Sequence, residues 1–228
     1  MTYILNIETA THICSVSLSK DGETIDLIES HEDRTHAELL SVFIEKILSK
    51  NKILPKELSA VAVSEGPGSY TGLRIGVSVV KGLCYGLKIP LISVSTLKAM
   101  ANGAREEVED DALLCPMIDA RRMEVYTAIY DKQLNLKEKI QAKIIDSDSF
   151  RQQLSKQKIV FFGTGSEKCR TEIQDKNAVF REKEYISSQN ISSLSYEKFL
   201  KSDFENMAYF EPFYLKEFQA IKSKKSYF

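Results

Sequence analysis

The stretch Ser64-Glu65-Gly66-Pro67-Gly68-Ser69-Tyr70-Thr71-Gly72-Leu73-Arg74-Ile75-Gly76 decides the fold of this chain. It lies between an apolar run at residues 58–64, typical of a buried strand, and a helical pattern at residues 71–87. Six of the ten glycines of the chain lie between Gly66 and Gly86. We therefore predict a strand, a glycine-rich turn and a helix, in that order, within the first half of the chain.

The turn itself has two interpretations. Gly66 and Gly68 can adopt positive φ and expose backbone N–H groups, and the helix after Ser69 adds the positive end of its dipole. These features are typical of an anion or phosphate site, but a tight turn without a ligand fits the same spacing. No Gly-Lys-Ser or Gly-Lys-Thr follows, so the stretch is neither a P-loop nor a dinucleotide-binding fingerprint.

The order of predicted elements recurs in the second half of the chain. Three strands, a helix and a strand before a glycine turn are predicted at residues 3–8, 13–19, 24–30, 35–50 and 58–64, and again at residues 113–119, 124–130, 136–145, 147–154 and 158–162. The second set ends in Gly163-Thr164-Gly165. We therefore predict an α/β protein of two lobes of one design, residues 1–104 and 105–228. Residues 187–195 are predicted to form a polar loop. Residues 196–228 are predicted to be mostly helical, with a C-terminal helix that can pack back on the first lobe.

Composition excludes several classes of protein. The chain has 228 residues, of which 43% are hydrophobic and 28% charged, which fits a globular protein and not a disordered one. A net charge of −1 argues against a long nucleic-acid track on its surface. The N-terminus has no basic leader, and no apolar run approaches the ~20 residues of a membrane span. The four cysteines form no CxxC pair, so we expect buried reduced thiols and a cytoplasmic protein.

Two helices of the first half have more smooth or apolar surface than one packed face needs. In the helix at residues 35–50, Thr35 and Glu38 match a capping box. Two adjacent apolar stripes follow on this helix: Leu39, Phe43 and Ile47, and beside them Leu40, Ile44 and Leu48. On residues 71–87, small residues recur four apart, at Gly72 and Gly76 and at Ser78, Gly82 and Gly86. Each set lies on one helix face and lets another helix approach closely, from this chain or from a partner.

Candidate catalytic residues are few. The three histidines, His12, His31 and His36, form no HxxxH or HExxH motif, so no metal site is predicted. Glu8 and Asp119 end equivalent strands and can hold a cation between them, but such carboxylates are also common turn residues. Arg121, which follows Asp119 closely, fits either a surface ion pair or an anion contact.

The glycine motif resembles the signature of the TsaB (YeaZ) family. Asp119-Ala120-Arg121-Arg122-Met123-Glu124-Val125-Tyr126 is similar to that family's second motif. The opening residues 4–18 and the closing Pro212-Phe213-Tyr214-Leu215-Lys216 also resemble it. The resemblance covers nearly the whole chain and keeps the motifs in order.

The resemblance implies the actin-like, sugar-kinase-like (ASKHA) fold. It also implies a role in making N6-threonylcarbamoyladenosine (t6A) at position 37 of tRNA. In that role the chain is a non-catalytic partner of the transferase TsaD, joined by the ATPase TsaE, and contacts tRNA only through the complex. The basic residues 222–225 fit either a tRNA contact or a solvated terminus.

The resemblance further implies pairing through the helices at residues 35–50 and 71–87, and a homodimer when the chain is alone. The implied interface residues are His36, Leu39, Leu40, Phe43, Ile47, Thr71, Leu73, Arg74, Val77, Ser78 and Gly82. No cofactor of the chain's own is implied, but ATP or ADP can lie at the partner interface. Residues for a nucleotide or anion contact are Gly66, Gly68, Ser69, Asp119 and Arg121.

Two comparisons with the family qualify the prediction. Where the transferase has two metal-binding histidines, this chain has Thr96 and Met100, and neither is a ligand for such a metal. The first strand ends in Glu8-Thr9-Ala10, where the family usually has Asp-Thr-Ser, and this weakens nucleotide binding in the usual cleft. A metal-dependent peptidase and an ASKHA phosphotransferase remain as alternative functions.

Overall fold

The first lobe is built on a mixed five-stranded sheet. The structure is a computed structural model that describes residues 1–32 and 36–216. The strands are β1 (Tyr3–Glu8), β2 (Cys14–Lys20), β3 (Glu23–Ser30), β4 (Ala60–Gly66) and β5 (Leu91–Ser95). Their order is β3-β2-β1-β4-β5, with β1, β2 and β3 antiparallel and β1, β4 and β5 parallel. The helices of this part are α1 (His36–Lys50), α2 (Tyr70–Leu87) and α3 (Thr96–Ala104).

The second lobe repeats this sheet. Its strands are β6 (Leu113–Asp119), β7 (Glu124–Tyr130), β8 (Leu136–Ile144), β9 (Ile159–Phe162) and β10 (Ala178–Phe180), and a short helix α4 (Arg151–Leu154) precedes β9. The order β10-β9-β6-β7-β8 is that of the first sheet when β6 is matched to β1. The predicted duplication is therefore confirmed, and the second sheet includes a short edge strand, β10, that the sequence did not predict.

Apolar cores lie beside and between the sheets. Residues of β1, β2, β4, α1 and α2 form the core of the first lobe. Helix α3 packs on both sheets, and its Leu97 and Met100 lie in one core with Ile92 of the first sheet and Leu114 of the second. The two lobes are thus joined by an apolar core around α3, in addition to the chain connections.

Capping residues define both ends of helix α2. The Ser69 hydroxyl accepts a hydrogen bond from the Gly72 backbone N–H at 3.3 Å, which caps the helix. Lys88 follows the last helical residue in the left-handed conformation, with φ of 57°. Helix α2 therefore matches the helix predicted at residues 71–87, except that it begins one residue earlier.

The predictions for the end of the chain are wrong in two places. Helix α5 (Ser192–Leu200) begins inside the predicted loop at residues 187–195, whereas its residues 196–200 are helical as predicted, and it packs on the first sheet. Residues 201–216 are irregular instead of helical. Two of their backbone N–H groups bond to other elements, since Glu205 donates to the Leu91 carbonyl and Phe213 donates to the Glu65 carbonyl. A backbone donor that bonds to another element is lost to a helix.

Serine side chains explain the helix that the sequence missed. The Ser195 hydroxyl donates to the Asn6 side chain at 2.7 Å, and Ser188 and Ser15 hydroxyls lie 2.7 Å apart. The segment is polar because it docks on buried polar groups of the first sheet, and not because it faces water. The predicted cap residue Thr35 and the basic residues 222–225 lie outside the described residues.

The sequence also predicted buried reduced cysteines and no membrane-spanning segment. All four cysteines are buried and unpaired, as predicted. Within residues 1–32 and 36–216, none of the helices has the length and apolarity that crossing a bilayer requires.

Candidate functional site

A cleft of about 1390 Å³ lies between the two lobes. The first lobe contributes the loop after β1 and the start of α2, and the second lobe contributes the turn after β6. The irregular C-terminal segment forms a further wall with Phe213, Tyr214, Leu215 and Lys216. Of the predicted anion contacts, Gly68, Ser69, Asp119 and Arg121 line this cleft, and Gly66 does not.

The glycine turn is shaped by close contacts with the loop after β1. A Cβ atom on Gly68 would lie 2.2 Å from the Ala10 carbonyl oxygen, and the Ser69 N–H donates to that oxygen at 2.6 Å. Gly66 has a φ of 114°, and a Cβ atom there would meet the carbonyl oxygen of Phe213 at 2.7 Å. The turn is therefore a packed junction as well as one wall of the cleft.

On the opposite wall, Asp119 and Arg121 form one tight turn. The Asp119 carboxylate accepts from the Arg121 backbone N–H at 2.8 Å and from Lys168 Nζ at 2.5 Å. Arg121 and Arg122 have φ of 70° and 49°, which is uncommon for residues with side chains. Both arginine side chains are exposed and line the cleft, so this wall offers positive charge to an anion.

Glu8 lies in a different environment from the one predicted. Its side chain is 1% exposed and does not line the cleft. The carboxyl group accepts from the Ala10 backbone N–H at 2.6 Å and from the Ser64 hydroxyl at 2.8 Å. Burial raises the pKa of Glu8 from 4.5 to about 7, against the opposing effect of those two hydrogen bonds. The interpretation of Glu8 and Asp119 as a shared cation site is wrong, because Glu8 is sealed from the cleft.

The carboxylates of the cleft do not fit the magnesium ion that a nucleotide would bring. Asp119 is paired with Lys168, and Glu124 is paired with Lys216. Across residues 1–32 and 36–216, no cluster of three His, Cys, Asp or Glu side chains is arranged to hold a metal ion. Lysine side chains thus already neutralise the oxygen ligands that a hard cation prefers.

Thr96 and Met100, the residues at the positions of the transferase's histidines, belong to the interior. Thr96 is the first residue of α3 and is fully buried. Met100 is 1% exposed, and its methyl carbon lies 2.5 Å from the position that a Cβ atom on Gly163 would take. These two positions therefore pack the joint between the lobes.

The predicted interface residues divide into two groups. His36, Leu40, Ile47, Leu73 and Val77 are buried within the chain. Leu39 and Phe43 are half-buried, and the residues that face outward on α2 are Thr71, Arg74, Ser78 and Gly82. The first group holds the helices on the sheet, so only the second group has surface to offer a partner.

Two further side chains on these helices are exposed, and the sequence pattern did not single them out. Val42 on α1 is 52% exposed and Tyr85 on α2 is 79% exposed. Tyr85 follows Ser78 by seven residues, so it lies on the same helix face, and that spacing was the signal that could have revealed it. A Cβ atom on Gly82 or Gly86 would meet nothing within 4 Å, so this end of α2 is open.

Comparisons with known proteins identify the family. Residues 28–223 match the family profile of TsaD, tRNA N6-adenosine threonylcarbamoyltransferase. The tRNA threonylcarbamoyladenosine biosynthesis protein TsaB of Escherichia coli K12 is 39% identical over 132 residues, 58% of this chain. The alignment spans 56% of that relative, a little over half its length.

Solved structures agree with this family. A Pseudomonas aeruginosa protein described as similar to the peptidase YeaZ is 25% identical, with a TM-score of 0.84 over 95% of this chain and 100% of that one. An activator of 2-hydroxyisocaproyl-CoA dehydratase from Clostridium difficile, solved with ADPNP, shares the fold at a TM-score of 0.52 and 10% identity, over 90% of this chain and 99% of that one. The family profile, the curated relative and the shared fold together show that the chain belongs to the TsaB/YeaZ family, with an α/β, ASKHA-like fold of two lobes.

Proposed function

We propose that the chain is a non-catalytic subunit in the synthesis of t6A at adenosine 37 of tRNA. In this proposal it pairs with a TsaD-type transferase in the cytoplasm, a TsaE-type ATPase joins the pair, and tRNA is contacted through the complex. The name of the E. coli relative supports the pathway. The observation that carries the subunit role is the open face of helix α2.

This open face has the properties of a helix-pairing surface. Ser78, Gly82 and Tyr85 are exposed along α2, and the two small residues leave room for another helix at close range. Half-buried Leu39 and Phe43 of α1 add apolar area. Two such helices from each of two chains form a four-helix bundle. We infer that the transferase supplies the second pair, and that a second copy of this chain does so when the transferase is absent.

The cleft supports a role without catalysis by this chain. Asp119 and Glu124, the carboxylates among the described residues that line the cleft, are paired with lysines. Glu8 is buried. The cleft therefore lacks a free carboxylate for a general base or a metal ligand among these residues. The ligand that best fits Gly68, Ser69 and Arg121 is a phosphate-bearing molecule such as ATP or ADP. In this proposal the chain binds the phosphates directly and supplies no ligand to a metal ion. Equilibrium dialysis with ATP in the presence of EDTA, which removes free metal ions, measures this binding. The variant Arg121→Ala should bind ATP more weakly.

Reconstitution tests the function. A synthase that supplies threonylcarbamoyl-adenylate, the transferase and the small ATPase are combined with unmodified tRNA, and modified adenosine is measured with and without this chain. We expect modification only when the chain is present. Equal modification without the chain would overturn the proposal and favour a phosphotransferase, whereas peptidase activity with stoichiometric metal would favour a metallopeptidase.

Interface variants in the same assay test the surface. Gly82→Leu fills the space that a partner helix needs, and Phe43→Asp places a charge on the apolar side of α1. We expect each variant to lose heterodimer in sedimentation and to lose modification, with an unchanged fold by circular dichroism. Leu136→Asp is the matched control, because Leu136 is an apolar residue of the second lobe with 52% exposure. An intact heterodimer in both interface variants would disprove this surface.

A further inference from the structure

We propose that residues 205–216 form a strap that fastens the two lobes together across the cleft, and that Tyr214 is its latch. The strap includes the Pro212–Lys216 motif, to which neither the pathway nor the partner surface gives a role. It starts on the first lobe, crosses the glycine turn and ends on the second lobe. The inference is independent of any partner, because every contact in it lies within this chain.

The strap is anchored first on the edge of the first sheet. The Glu205 backbone N–H donates to the Leu91 carbonyl at 2.9 Å, and the Ser93 hydroxyl donates to the Glu205 carboxylate at 2.6 Å. Phe210 then inserts into the core of the first lobe with 9% exposure. These contacts fix the start of the strap and leave its end to extend toward the cleft.

The strap next crosses the glycine turn. The Phe213 N–H donates to the Glu65 carbonyl at 2.7 Å. The Phe213 carbonyl oxygen lies 2.7 Å from the position of a Cβ atom on Gly66. The absence of a side chain at Gly66 therefore makes room for the strap. This gives Gly66 a structural role that its predicted anion contact does not explain.

Tyr214 then joins the strap to the start of α2. Its ring lies 4.8 Å from the ring of Tyr70, at an angle of 38°. The Arg74 guanidinium lies 4.1 Å above the Tyr70 ring, and Arg74 Nε donates to the Tyr214 hydroxyl at 3.3 Å. A tilted ring pair in which one cation contacts both tyrosine side chains is a favourable and specific arrangement.

The far end of the strap reaches the second lobe. Lys216 Nζ binds the carboxylate of Glu124, the first residue of β7. Phe213, Tyr214, Leu215 and Lys216 all line the cleft. Helix α3 joins the lobes through an apolar core, whereas the strap joins them across the cleft by a ring pair and an ion pair. The strap is the weaker of these two connections. Its release therefore opens the cleft, while the apolar core around α3 keeps the lobes connected.

Hydrogen exchange of the full chain tests the latch. In Tyr214→Ala we expect the amides of residues 66–72 and 119–124 to exchange up to about tenfold faster, as the loss of one aromatic pair predicts. The amides of β1 should exchange as in the wild type, since the sheet core remains. Tyr209→Ala is the matched control, because Tyr209 lies on the same strap with 83% exposure, and it should leave both regions unchanged.

Milder variants keep the test decisive if Tyr214→Ala does not fold. Tyr214→Phe keeps the ring pair and loses the bond to Arg74, and Lys216→Gln removes only the ion pair to Glu124. Both should accelerate exchange at residues 119–124 more than Lys201→Gln, a change of an exposed lysine at the end of α5. Adding Tyr70→Ala to Tyr214→Ala should cause no further acceleration, because the two rings act as one contact. Equal exchange in the latch variants and their controls would overturn the proposal.

Discussion

The two lobes have the same sheet but carry different helices. In the first lobe, α1 has 15 residues and α2 has 18 residues. In the second lobe, the equivalent places hold α4, with 4 residues, and a 3-10 helix of 3 residues at Glu167–Cys169. A duplicated sheet therefore supplies the frame of both lobes. The first lobe therefore carries the longer covering helices, and the proposed partner surface lies on them.

The ends of the equivalent strands β1 and β6 show a second difference. Each ends in a carboxylate, but Glu8 is 1% exposed whereas the side chain of Asp119 is 51% exposed. Glu8 accepts hydrogen bonds from a serine and a backbone N–H, and Asp119 is paired with Lys168. The same residue class at the same position thus has opposite electrostatic surroundings, and the following predictions test that contrast.

The largest effect is expected for Glu8→Gln. Burial raises the pKa of Glu8 from 4.5 to about 7, so the folded chain holds this proton more tightly than the unfolded chain. The free energy of unfolding should therefore fall as the pH rises from about 4.5 through about 7, by about 3 kcal/mol. Glu8→Gln should lack this fall, so its stability relative to the wild type should rise between pH 5 and pH 8. Urea unfolding across that range measures it, and parallel pH profiles of the two chains would contradict it.

A second prediction contrasts the two ends of α2. In Gly72→Ala the new Cβ atom would lie 2.1 Å from the Thr9 carbonyl oxygen, so we expect a loss of about 1–3 kcal/mol. In Gly82→Ala the Cβ atom would meet nothing within 4 Å, so we expect a gain of up to about 1 kcal/mol from helix propensity. Thermal unfolding of the pair measures both. Effects of the same sign would show that the two ends of the helix do not differ as described.

The smallest effect is expected for Asp119→Asn. Its ion pair with Lys168 is half exposed, and such pairs contribute less than about 1 kcal/mol. The asparagine oxygen can still accept from the Arg121 N–H, so the turn should persist. Urea unfolding at pH 8 should place this variant within about 1 kcal/mol of the wild type. A loss as large as the pH effect at Glu8 would remove the contrast between the two strand ends.

Local patterns predicted much of the fold and part of the site. Alternation and apolar runs located the equivalent strands of both sheets, and the glycine turn located α2 to within one residue. The irregular segment at residues 201–216, which includes the strap, was predicted to be helical because its bonds are distant: Glu205 and Phe213 donate to Leu91 and Glu65, more than a hundred positions earlier. Ser192 and Ser195 were taken for a loop for the same reason, because their partners lie on the first sheet.

The sequence by itself determined the duplicated α/β design, the glycine turn and the family motifs. These depend on residue type and short spacing, which act through backbone propensity and the periodicity of burial. Only the tertiary structure decided that Glu8 is sealed while Asp119 meets Lys168, that Gly72 packs inward while Gly82 is open, and that Tyr214 meets Tyr70. Those outcomes depend on which distant segments come together, and on how much water they exclude, which no local pattern specifies.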